Sequence, residues 1–341
     1  MWPVFLSVLY TMTQLLVPFI AGVIFRRAGG VVEQELRSFS RLIVNVTLPI
    51  FFFVRVARAD LSEVGTFAIM PIAALIHVAM AVGLSFLLAR LLQPKSLEVR
   101  SATAAVGSFG NTGYLPLSVQ ELIPFTMPLL AEAVGPTQPS LYIGIYVLIH
   151  APIMWSLGNY LVTGRGTKLG WQAFVPTPVI GIGLGLIASL TGLGELSETS
   201  RGIWHHTFQG LDTISRLTVP LVLITLGGVI GGLQLPGRER RSAALRMALV
   251  AAVVRLGIMP AAFWLVATQT RILNGMGAAV LWVIFLEFHT PTANNISVMA
   301  TRAARNQNEI ALTLVVSYLA YLVLFPLYLT AFLLWQGYRA V

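Results

Sequence analysis

Two stretches of this chain carry the residues able to do chemistry. The first, Val106 to Gln120, reads VGSFGNTGYLPLSVQ; the second, Glu287 to Ala300, reads EFHTPTANNISVMA. Each lies in an apolar run long enough to cross a bilayer, yet holds glycine, proline and amide side chains in its middle. A helix in lipid satisfies its own backbone hydrogen bonds, so an interruption at that depth survives only against protein or a water-lined cavity. The half-helix after a break starts with unpaired N–H groups and about half a positive charge, which makes it an anion site. Asn111 is expected to cap a half-helix starting at Thr112, and Thr290 to cap one starting at Pro291. If the breaks cross, both N-terminal ends converge with the amides of Asn111, Asn294 and Asn295. That arrangement suits a carboxylate without requiring lysine or arginine. The candidate binding residues are therefore Asn111, Thr112, Gly113, Thr290, Pro291, Asn294 and Asn295, of which one asparagine of the adjacent pair must face away. The alternative is that these residues only kink and pack helices.

Further candidates lie outside the breaks. Asn45 and Thr47 stand beside Pro49, where they can face a substrate or bond their own helix. Phe51, Phe52 and Phe53 follow, expected to meet lipid or to pack, the alternative being an apolar wall for the substrate. Ionisable groups inside spans are costly and are functional candidates by default. Here they are His77, His150, Arg255, Glu287 and His289. Arg255, Glu287 and His289 are the coupling candidates: either Arg255 and Glu287 pair, or Glu287 carries a coupling proton. His77 and His150 are expected to be satisfied packing residues. His205 and His206 are expected in a loop, with no third ligand at metal-site spacing. No hydrolase elbow, P-loop, zincin helix or paired-cysteine motif occurs. The glycines of GIGLGLIASLTGLG (Gly181–Gly194) fall in a span, where they let helices approach. The chain thus reads as a non-enzyme without cofactor or metal.

These positions require membrane helices around them. The chain has 341 residues, 56% hydrophobic and 10% charged, against roughly a quarter charged in a soluble domain. Its mean hydropathy is +0.81. Cysteine is absent, so disulfides and thiolate chemistry are excluded. The first apolar run is long enough to span rather than to serve as a removable signal. About ten spans are expected, near 3–25, 39–57, 66–92, 99–120, 139–163, 175–193, 211–232, 243–267, 276–301 and 309–335. Glu195 to Gln209 is the longest polar connector and is expected to be a short interfacial helix.

The net charge of +9 is read as topology rather than nucleic-acid binding. Basic residues follow the odd-numbered spans: Arg26, Arg27, Arg37 and Arg41; Arg90, Lys95 and Arg100; Arg165 and Lys168; Arg238, Arg240, Arg241 and Arg246; Arg302 and Arg305. The other side has Arg55, Arg58, Arg201, Arg216, Arg271 and Arg339. The rich side is expected in the cytoplasm, which leaves both termini outside it.

Ten spans divide into two sets of five, 1–165 and 170–341, and an odd number inverts one set relative to the other. VTLPIFFF (Val46–Phe53) and LTVPLVLI (Leu217–Ile224) share Thr-x-Pro, and each precedes a break by about sixty to seventy residues. The segments SRLIVNVTLP (Ser40–Pro49), GNTGYLPL (Gly110–Leu117), PIMWSLG (Pro152–Gly158), LTVPLVLITLGG (Leu217–Gly228) and TPTANNISVMA (Thr290–Ala300) resemble the auxin efflux carrier family. That family includes plant PIN proteins and bacterial organic-acid carriers, within the bile acid/auxin/arsenite transporter superfamily. The resemblance implies an all-α polytopic protein with two inverted five-helix repeats and crossing broken helices 4 and 9. It implies a scaffold of spans 1, 2, 6 and 7, a transport unit of spans 3, 4, 5, 8, 9 and 10, a homodimer in the inner membrane, and elevator-type export of an organic anion. The chain departs from the plant pattern at Gly110, where those proteins have proline, at Pro116, which comes five rather than seven residues after Asn111, and at Thr177–Pro178 in place of Asn-Pro. It also lacks their long loop. Two other readings stand beside the carrier: a membrane ligand sensor on the same fold, and a sodium-coupled organic-anion symporter, for which Glu287, Gln120 and Glu121 are the side-chain oxygens near the breaks.

Overall fold

The computed structural model describes residues 1–59, 61, 67–93, 96–135, 137–164, 177–199, 201–273 and 275–338. Lys95, Arg165, Lys168, Arg339 and the expected boundary between the two halves lie outside these residues.

The described residues form helices joined by short connections. In chain order they are α1 (Trp2–Arg27), α2 (Glu33–Ala57), α3 (Ile69–Leu92), α4 (Leu97–Ser108), α5 (Tyr114–Thr126), α6 (Pro128–Val134), α7 (Gln138–Thr163), α8 (Thr177–Leu190), α9 (Leu193–Thr199), α10 (Ile203–Gly231), α11 (Arg238–Gln269), α12 (Ala278–Phe288), α13 (Asn295–Ala303) and α14 (Gln307–Trp335). Seven of them, α1, α2, α3, α7, α10, α11 and α14, are long and apolar enough to cross a membrane, and α8 with α9, bent by 70°, makes an eighth. The two broken segments, α4–α5 and α12–α13, consist of helices too short to cross alone. The expected ten is reached only by counting each as a span. Three helices each contain a π turn: Ile43–Thr47 in α2, Met154–Gly158 in α7 and Val253–Ile258 in α11.

Two expectations are corrected. The polar connector from Glu195 to Gln209 is mostly helical: α9 occupies its start, and α10 begins at Ile203, earlier than hydropathy suggests. His205 and His206 accordingly sit in the first turn of α10, not in a loop. α2 likewise starts at Glu33 because its first turns are a polar helix, closed by the Glu35 carboxylate accepting from the Val32 N–H.

α1, α2, α8 and α10 pack against one another through small residues. A side chain at Gly181 or Gly194 would collide with the carbonyl of Pro49 or Ala57 of α2, and one at Gly22 or Gly227 with the backbone facing it across α1 and α10. The paired sequence marks meet here: Thr218 donates from its hydroxyl to the carbonyl of Thr47 at 3.1 Å. Phe51 and Phe52 are buried in the core. The remaining helices form a second group around the two breaks. Three side-chain bonds join the two groups among the described residues: Arg55 with Glu121, Thr11 with Thr126 at 2.5 Å, and the Thr137 hydroxyl to the Arg58 carbonyl at 3.4 Å. All three lie at the same end of the molecule, near the C-terminal ends of α2 and α5.

Candidate functional site

The two breaks cross and bond each other directly. α4 starts on Ser96, whose hydroxyl accepts from the Val99 N–H at 3.3 Å, and it ends at Ser108, where Phe109 turns extended. α12 ends at Phe288, and Pro291, which lacks an N–H, keeps the following segment out of the helix. The two non-helical segments then lie antiparallel, with Gly110 opposite Thr292. The Asn111 N–H donates to the Pro291 carbonyl at 2.8 Å, and the Ala293 N–H to the Phe109 carbonyl at 2.9 Å. Each break therefore satisfies part of the other's backbone, as low-dielectric surroundings demand. Thr292 locks the crossing from both sides: its hydroxyl donates to the Val106 carbonyl at 3.0 Å, and its N–H to Ser317 of α14 at 3.1 Å.

The expected caps are not formed. α5 begins at Tyr114 and α13 at Asn295, each without a side-chain cap. Asn111 cannot cap because its residue is part of the crossing; its amide instead donates to the Tyr318 hydroxyl at 2.6 Å. Thr290 and Pro291 precede α13 by several residues and are also in the crossing. Among the described residues no acceptor meets the N–H groups of Thr112, Gly113 and Tyr114 before α5, or of Asn294 and Asn295 at α13. The side-chain oxygen of Asn294 is buried and also without a partner, whereas Asn295 is half-buried. Two helix N-termini with unspent donors thus flank the crossing.

A polar network runs behind it. The Thr112 hydroxyl bonds His150 Nδ1 at 2.9 Å, and the His150 ring stacks on Tyr146. Tyr146 bonds His77, and His77 Nε2 lies 2.6 Å from the Arg255 guanidinium. A guanidinium only donates, so Nε2 accepts and the His77 proton sits on Nδ1, directed to Tyr146. Arg255 donates onward to the Thr290 carbonyl at 3.2 Å and the Thr290 hydroxyl at 2.5 Å.

The structure therefore brings together Asn111, Thr112, Gly113, Thr290, Pro291, Asn294 and Asn295, with Arg255 immediately behind. It does not pair Arg255 with Glu287. No ion pair joins them, and both Glu287 oxygens are buried without a hydrogen-bond partner. The carbonyl and hydroxyl of Thr290 take the arginine's fork instead. His289 donates from Nδ1 to the Phe285 carbonyl at 2.6 Å, and its ring packs tilted against Phe285 and edge-on to Tyr328. Asn45 stands exposed on the π turn of α2, where its amide oxygen accepts from Thr177 at 3.0 Å, outside the crossing. Sequence reasoning missed Tyr318, Ser317, Thr292 and Tyr146. Only Thr292 carried a signal, its place inside the second break.

An apolar cavity of about 90 Å³ adjoins the crossing. Leu15 and Phe19 of α1, Leu223 and Leu226 of α10, Leu115 of α5 and Tyr318 of α14 line it. Tyr318 is thus shared: its ring walls the cavity and its hydroxyl holds Asn111.

Residues 7–174 match the family model described as membrane transport protein. An uncharacterized transporter of Methanothermobacter thermautotrophicus is 25% identical over 229 residues, covering 66% of this chain and 68% of the relative. Buried polar crossings between broken helices, a multi-pass apolar helix set and this match agree. Over residues 7–174, just under half of its length, the chain is similar to the membrane transport protein family, that of the auxin efflux carriers, and it is a transporter.

Proposed function

We propose that this transporter is a secondary carrier exporting an organic anion, most simply a carboxylate with an apolar body. The observation that carries the reading is the crossing itself, which leaves unspent N–H donors at the starts of two half-helices beside the Asn111 and Asn294 amides. Such donors, with the positive ends of two helix dipoles, suit an anion without an ion pair that would hold it. The apolar cavity beside Tyr318 supports a hydrophobic body attached to the carboxylate. Asn111, Thr112, Gly113, Thr290, Pro291, Asn294 and Asn295 are the binding residues in this reading. Asn45, held by Thr177 outside the crossing, is not among them, and Glu287 with Arg255 and His289 serves coupling.

In the same reading α1, α2, α8 and α10 are the scaffold of a homodimer, and the group around the crossing moves across it as an elevator. The small-residue packing within the first group and the few polar bonds between groups favour this division. The protein lies in the inner membrane with both termini outside the cytoplasm. Its supporting observation is the distribution of cations. Arg26, Arg90, Arg240, Arg246 and Arg305 share one end, where Arg246 reaches the Leu92 carbonyl, Arg305 the Thr163 carbonyl and Arg240 Glu309. Arg55, Arg58 and Arg216 at the opposite end are held by Glu121, Glu198 and Asp212. Flux of labelled carboxylates into liposomes containing the protein tests the reading, with Asn111→Ala alongside. Binding without flux favours a ligand sensor, and flux that needs sodium favours a symporter.

A further inference from the structure

Arg255 is fully buried yet has no carboxylate bonded to it. Burying a charge costs several kcal/mol even after relaxation, so its placement calls for a return. Its guanidinium lies directly behind the bridge between the breaks. A side chain added at Gly110 would collide with the guanidinium and with the Thr290 hydroxyl. Gly110 and Arg255 therefore occupy one shared space: the glycine leaves room for the fork, and the fork reaches Thr290.

The π turn Val253–Ile258 in α11 is what presents Arg255 there, since a π turn inserts an extra residue and re-aims the side chains around it. His77 fixes the fork from the other side and is itself held by Tyr146. Thr290 is anchored twice, because its hydroxyl also donates to the Glu287 carbonyl at 3.0 Å. The next residue, Pro291, offers the carbonyl that receives the Asn111 N–H.

From this chain of contacts we propose that Arg255 is the positioning residue of the crossing, holding Thr290 so that the second break stays in register with Gly110 and Asn111. Its two donors address two acceptors of one residue, the carbonyl and the hydroxyl of Thr290, a geometry that a lysine ammonium does not reproduce. The consequence for transport rests on the carboxylate reading above; the positioning role itself does not.

The natural absence of cysteine makes a local test direct. Ala293→Cys places one thiol in the crossing, where Ala293 is 2% exposed, and Ala188→Cys places one on α8, away from it, at 3% exposure. The rate of maleimide labelling of the purified full-length protein in nanodiscs is then compared. Arg255→Met is expected to raise labelling at Ala293→Cys by roughly tenfold or more and to leave Ala188→Cys unchanged, as loss of hydrogen bonds from a charged donor implies. Arg255→Lys is expected in between. Thr290→Ser keeps both acceptors and is expected to label as the parent does, while Thr290→Val is expected to follow Arg255→Met. Unchanged labelling at Ala293→Cys overturns the proposal. So does an equal rise at both positions, which marks Arg255 as general packing. In the flux assay Arg255→Met is expected to raise KM for a carboxylate. If the unaltered protein moves no carboxylate, the carrier reading falls, while the labelling still decides the role of Arg255.

Discussion

Asn111 and Pro291 meet backbone to backbone: the N–H of the first donates to the carbonyl of the second at 2.8 Å, across a gap of just over half the chain. The Asn111 side chain is thereby turned toward Tyr318 rather than toward its own helix. Tyr318→Phe removes that acceptor and leaves the cavity wall in place. It is expected to weaken carboxylate binding about fivefold, in keeping with about 1 kcal/mol for a buried hydrogen bond. The double variant with Asn111→Ala is expected to lose less than the sum of the two, because both remove one contact. Binding isotherms of the four proteins check this, and additive losses contradict it.

Among the described residues the side-chain bonds between the two helix groups lie at one end, so they are expected to break when one group moves. Thr11 and Thr126 face each other at 2.5 Å between hydroxyl oxygens. In this cysteine-free chain, Thr11→Cys with Thr126→Cys is expected to form a disulfide on oxidation, to lower flux at least tenfold, and to recover under dithiothreitol. Full flux through the oxidised protein, with the cross-link verified by mass, contradicts movement of α5 against α1.

Glu287 is buried with both oxygens unpartnered, so an amide in its place removes an ionisable group without losing a hydrogen bond. Glu287→Gln is expected to leave the thermal midpoint within a few degrees of the parent's, since an unpartnered buried carboxyl is held neutral and the amide fills the same volume. It is also expected to flatten the pH dependence of flux if this carboxylate carries the coupling proton. A pH profile identical to the parent's removes Glu287 from coupling.

Gly227 of α10 lies against the backbone of Phe19 of α1. Gly227→Ala forces backbone apart rather than a flexible side chain, an overpacking expected to cost about 1–3 kcal/mol. Thermal unfolding in detergent checks this, and Gly210→Ala, whose added carbon meets nothing nearby, is the control expected to change little.

The positions of both breaks were legible in the sequence because glycine, proline and asparagine stand out within apolar runs. The caps were not. Capping preference assumes that a helix starts right after its cap, whereas Phe109 to Asn111 and Pro291 to Ala293 are spent on pairing with each other, a relation between distant segments. The partner of Arg255 was misread for a related reason: charge alone suggests Glu287, but the fork's geometry is met by two acceptors of Thr290. Tyr318 and Ser317 carried no signal, since an aromatic or a serine in a long apolar helix such as α14 is ordinary. The early start of α10 escaped hydropathy because its first turns hold His205, His206 and Gln209.

The central claim is that the crossing binds a carboxylate that the protein then carries across the bilayer. The most direct measurement is flux of labelled carboxylates, aliphatic and aromatic, into liposomes containing the parent protein or Asn111→Ala, each with and without sodium and at two pH values. The account predicts saturable flux of at least one apolar-bodied carboxylate, reduced about fivefold or more by Asn111→Ala. No flux of any carboxylate, or flux that Asn111→Ala leaves unchanged, contradicts it.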